Sequence, residues 1–134
     1  MKSFKKSILA LGLALGVMAG MGGAAVYAAN NPQTQTGALA GASVMGNSNI
    51  THSKGTAYTT CGAYGGSVSV TSKYIYCNTS TGEGKPVSNG AGDSRSAGVG
   101  FSAPNGSKSV SISSSHKFYY SGQTWSANTY DDKE

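Results

Sequence analysis

The stretch "SVSISSSHKFYY", residues 109–120, sets His116 directly behind a run of serines. Histidine beside a serine hydroxyl is the raw material of nucleophilic catalysis: the imidazole takes the hydroxyl proton while a third group orients the ring. That chemistry needs both side chains on one side of the backbone. On an extended strand side chains alternate, so Val110, Ile112, Ser114, His116, Phe118 and Tyr120 share one face. Ser109, Ser111, Ser113, Ser115 and Lys117 share the other. Ser113 and Ser115 point away from the ring, and only Ser114 lies on its side. The expectation is a histidine at a strand end or core rim, bonded to backbone or water.

A second stretch, "AGDSRSAG" (91–98), contains Gly92-Asp93-Ser94. These three residues resemble the Gly-Asp-Ser around the nucleophile of chymotrypsin-like proteases and of a lipase family. The protease's following glycine pair is replaced here by Arg95-Ser96, and the chain is too short for two barrels. The lipase motif ends a buried strand of an α/β fold, a context missing here. No catalytic residue is assigned, and the protein is expected not to be an enzyme. His52, His116, Asp93 and Glu83 have no metal-ligand spacing, so no metal or cofactor is expected.

The aromatics offer a different chemistry. Tyr58, Tyr64, Tyr74, Tyr76, Tyr119, Tyr120, Trp125 and Tyr130 are many for so small a chain. Exposed Tyr and Trp bury large area at low entropic cost and make good binding anchors. Tyr119 and Tyr120 are consecutive, so a strand sends them to opposite sides. The candidate binding aromatics are therefore Tyr119, Tyr120, Trp125 and Tyr130; the competing role is cross-strand core filling in a leucine-poor domain.

The elements that must position these residues are strands. From Thr56 onward apolar and polar residues alternate with period two. In "SVSVTSKYIYC" (67–77), Val68, Val70, Tyr74 and Tyr76 oppose Ser67, Ser69, Thr71 and Lys73. In "SAGVGFSA" (96–103), Ala97, Val99, Phe101 and Ala103 line one side. "TAYTTCGAY" (56–64) and "QTWSANTY" (123–130) are rich in strand-favouring residues. Turn signals fall at Gly65–Gly66, Pro104–Gly106 and Ser121–Gly122. Five or six strands predict an all-β fold, a small antiparallel β-sandwich, either Ig-like or built from two three-stranded sheets. The polar stretch 78–94 either hides an edge strand or carries a functional loop.

Ahead of the domain, Lys2, Lys5 and Lys6 precede an apolar run from Ile8 to Met21 that ends in small residues. This is the pattern of a secretory signal peptide, 1–28, cut after Ala28, and the run is too short for a membrane span. Residues 29–48 show no sustained period and are expected to form a flexible linker, leaving 49–134 as the β-sandwich domain. The net charge is +5; removing the three leader lysines leaves seven basic residues against five acids, or +2. The basic residues are scattered, so no nucleic-acid partner is expected.

Cys61 and Cys77 are the two cysteines of a chain expected to be exported, which points to a disulfide contributing about 3 kcal/mol. A tight turn at Gly65–Gly66 would leave the pair roughly 23 Å apart, beyond the ~7 Å a bridge allows. The expected bridge therefore requires 56–63 and 67–77 to meet across two sheets or around a sharp bend.

"DSRSAGVGFSA" (93–103), followed by "KFYY" (117–120), resembles the C-terminal half of lactococcin-972-like bacteriocins. The resemblance implies a small secreted antibacterial β-sandwich acting at the envelope of competing bacteria without catalysis. This chain departs from the family in its two cysteines and in continuing past Tyr120 into "SGQTWSANTYDDKE", and no functional residue is carried over. The leading expectation is a secreted, extracellular bacterial protein that binds a glycan, a cell-wall component or a protein, with no transmembrane anchor in the mature chain; the rival is the bacteriocin-like polypeptide.

Overall fold

The computed structural model describes residues 32–133. The expected signal segment and residues 29–31 lie outside them. The described residues form eight strands and no helix: β1 Thr34–Leu39, β2 Ala42–Ile50, β3 Lys54–Cys61, β4 Ser67–Asn78, β5 Gly84–Asp93, β6 Ser96–Ser102, β7 Ser107–Tyr120 and β8 Gln123–Asp132. Two four-stranded antiparallel sheets result, in the orders β1-β2-β3-β6 and β5-β4-β7-β8, rather than two three-stranded ones. They stack face to face over a common core. Tyr74 of one sheet and Phe101 of the other lie with ring centroids 5.3 Å apart.

The two strands beyond the expected count come from stretches with weak hydropathic pattern. Residues 32–48 are not a flexible linker, because β1 and most of β2 occupy them. Ala42, Val44, Gly46, Ser48 and Ile50 alternate inward along β2 and are all buried. Two of those five are glycine and serine, which erases the apolar period that would mark a strand. β5 is an edge strand and exposed along most of its length, which is how a polar, glycine-rich sequence can still extend a sheet.

The two-residue turns Ala40–Gly41 and Ser121–Gly122 have positive φ at both positions, the type I′ geometry that matches strand twist. Together with the 62–66 and 94–95 connections they gather at one end of the sandwich, where Gly62 N donates to Ser43 O and Cys61 N to Arg95 O.

The β3 and β4 segments do meet across the two sheets, and Thr59 Oγ1 donates to the Ser69 carbonyl. The cysteines nevertheless remain free and buried, which corrects the expected disulfide. Cys61 lies beyond the Ser69 level toward the 62–66 connection. Cys77 lies eight residues from Ser69 in the opposite direction, roughly 26 Å at strand rise.

One irregularity shifts a face. The β4–β7 register slips between Ile75 and Tyr76, pairing Ile75 with Ser111 and Tyr76 with Ser109. Val110 is left over and packs with Ile75 and Cys77 in a small separate cluster. It does not share the Ile112–His116–Phe118 face expected of an unbroken strand.

Candidate functional site

The serine–histidine cluster is interior architecture. His116 is 0 % exposed, at the core's centre and not at its rim. Its ring spans the two sheets: Nδ1 lies 2.8 Å from Thr59 Oγ1 and Nε2 lies 2.7 Å from Thr129 Oγ1. Thr59 gives its one hydroxyl proton to the Ser69 carbonyl, and each ring nitrogen is held by a threonine hydroxyl. Thr129 continues to Ser48, Ser48 donates to Ser114, and Ser114 meets Ser72 at 2.7 Å. Five strands thus contribute six side chains to one closed polar run, satisfying the groups that burial would otherwise penalise. Burial alone pushes the His116 pKa down to about 4, because a charged imidazolium would lose its water.

The candidates for a nucleophile are placed elsewhere. Ser114 faces inward with His116, but its hydroxyl bonds Ser48 and Ser72. Ser113 and Ser115 pair with Lys73 and Thr71 on the opposite face. Ser94 sits in the β5–β6 turn, exposed, donating its N–H to Asp93 Oδ1 at 2.6 Å. Among the described residues no group of three or more His, Cys, Asp or Glu side chains converges as a metal site.

The four aromatics singled out from the sequence divide. Tyr119 stands on the outer face of the β5-β4-β7-β8 sheet, 54 % exposed. Tyr120 is half-buried and stacks on Phe118 at 5.6 Å. Trp125 is half-buried, packed on the core, and lies against Gly37 of β1, where an added Cβ would collide with its indole. Tyr130 is buried. Three of the four are therefore packed parts of the fold.

Tyr64, passed over as a candidate, is 80 % exposed. The Arg95 guanidinium sits over its ring, 4.4 Å from the centroid, a cation–π contact that ties the β3–β4 connection to the β5–β6 turn. Its neighbour Gly66 approaches the Tyr119 carbonyl and the Tyr120 ring. Tyr64, Arg95, Tyr119 and Tyr120 consequently gather at one end. The signal was available: an aromatic just before Gly65–Gly66 sits at a turn, where it has no strand neighbour to cover it.

From the Tyr119 end a hydroxyl-rich face extends along the sheet. The register sets Ser67 beside Tyr119, Ser69 beside Lys117, Thr71 beside Ser115 and Lys73 beside Ser113. β8 continues these rows with Thr124, Ser126 and Asn128. The face is open at its Tyr119 end and closes toward Ser111 and Tyr130, which are both buried.

No protein-family model matches the sequence, and no curated protein does.

Proposed function

We propose that this is a secreted bacterial protein that acts outside the cell by binding, without catalysis, and that its contact surface is the Tyr119 end of the sandwich with the adjoining outer sheet face. The observation that carries this reading is the separation of roles. The imidazole and its hydroxyl partners are sealed between the sheets, while Tyr119 and Tyr64 present exposed rings at one end. Aromatic rings held by rigid strands and tight turns are suited to anchoring a partner at low entropic cost. The leader pattern at residues 1–28 supports an extracellular target of the envelope: a glycan, a cell-wall component or a protein.

The test is capture of the purified protein by isolated bacterial cell walls, compared with Tyr119→Ala and Tyr64→Ala. Removing one anchor ring is expected to weaken capture by about tenfold, since a hot-spot residue contributes about 1–2 kcal/mol or more. Unchanged capture by both variants would contradict the assignment.

A second reading, a bacteriocin-like antibacterial polypeptide, is favoured by one placement. The stretch 93–103 that carries the family resemblance begins at the end of the fold where 117–120 lies, with Asp93 and Phe118 both paired to Val68. Clear inhibition zones on related strains would favour this reading over a generic binding protein.

A further inference from the structure

We infer that the outer face of the β5-β4-β7-β8 sheet between Lys73 and Lys117 is a docking site for an anionic, phosphodiester-linked polyol chain. This inference rests on the reading of that face as the protein's binding surface and names the chemistry of its ligand.

The two lysines stand on adjacent strands. Lys117 is paired with Ser69 and Lys73 with Ser113, so they are four residues apart along the sheet. Their Cα atoms are roughly 14 Å apart at strand rise and inter-strand spacing. The rows between them present hydroxyls: Ser69 and Thr71 on β4, Ser113 and Ser115 on β7. On the β5 side the same rows hold Gly92, Gly90 and the small Ser88, so no bulky side chain rises from that strand against a chain laid across the face.

Charge decides the class of ligand. The acid paired into the outer rows is Asp132, opposite Ser111 at the closed end; the rows from Lys73 to Tyr119 hold none. Lys73 is half-buried, and burial is the one cause lowering its pKa from the ordinary lysine value. Among the described residues no carboxylate is paired into its row, so an incoming anion gains a partly desolvated cation. A phosphodiester suits these donors. Lysine binds it as a point charge, and its free oxygens accept from the serine and threonine hydroxyls. The polyol segments between phosphates add hydroxyls that pair with the same row, and Tyr119 stands at the open end of the track.

The probe is synthetic poly(glycerol phosphate), titrated into the purified protein by calorimetry, with dextran as the neutral polymer and phosphatidylglycerol vesicles as the anionic surface. Binding to the phosphate polymer is expected to weaken several-fold when salt is raised, because Lys117 is exposed and Lys73 only half-buried. The double variant Lys73→Ala/Lys117→Ala is expected to lose about tenfold or more, with its thermal melt unchanged, since hydrogen bonds to charged groups are the stronger kind. An unchanged affinity in that variant, equal binding of dextran, or tighter binding to the vesicles would each overturn the inference. Should cell-wall capture persist and still depend on Tyr119 while the phosphate polymer fails to bind, the binding reading stands and the phosphodiester assignment falls.

Discussion

At Gly46 the chain omits a side chain, and the His116 ring fills the space: a Cβ there would run into the imidazole. The ring cannot retreat, because both nitrogens are bonded to threonine hydroxyls on different strands. Glycine at this point is therefore a packing requirement of the histidine. Gly46→Ala is expected to destabilise the protein by about 1–3 kcal/mol through overpacking and disturbed hydrogen bonds, read as a lowered midpoint in urea. A midpoint equal to the parent's would show that the ring has room that the structure does not give it.

At the scale of elements, β1 matters beyond its short length. It pairs with β2 throughout, and its entry meets the other sheet, where Tyr130 N donates to the Pro32 carbonyl at 3.2 Å. Gly37 takes the edge of Trp125, and any side chain there would push the indole out. Gly37→Val is expected to lower stability and shift the emission of Trp125, the sole tryptophan, toward that of a solvated indole; unchanged emission with unchanged stability would refute the clamp. This strand also shows where legibility ended. β4, β6 and most of β7 were readable with the correct faces because their inward positions are Val, Ile, Phe and Tyr. β2 was not, because Gly46 and Ser48 belong to a polar core that no hydropathic pattern announces. With β1 and β2 out of view, Trp125 had nothing to cover and read as a surface anchor. The cysteine pairing failed for a different reason. An even count is chemical permission to bridge, whereas the length of β4 holds the two thiols far apart. Of the candidate surface, Tyr119 was readable from its consecutive tyrosine, but the lysine-framed rows depend on cross-strand register, which alternation within one strand does not supply.

For the molecule as a whole, two sheets closing over His116 make a sandwich whose interior is polar at its centre, and the binding proposed for it is left to its outer surface. That closure has a pH signature. A free histidine titrates near 6.5, while burial holds His116 at about 4, so the unfolded chain takes up the proton first. Stability from this group is full above about pH 7 and falls as pH drops from about 6.5 to about 4, by roughly 3 kcal/mol in all. The most direct measurement is an NMR titration of the His116 ring in the folded protein. A neutral ring is expected down to about pH 5, with its midpoint near 4. A midpoint near 6.5 would mean that water reaches the imidazole, and the sealed interior on which the proposed outer-face binding rests would be contradicted.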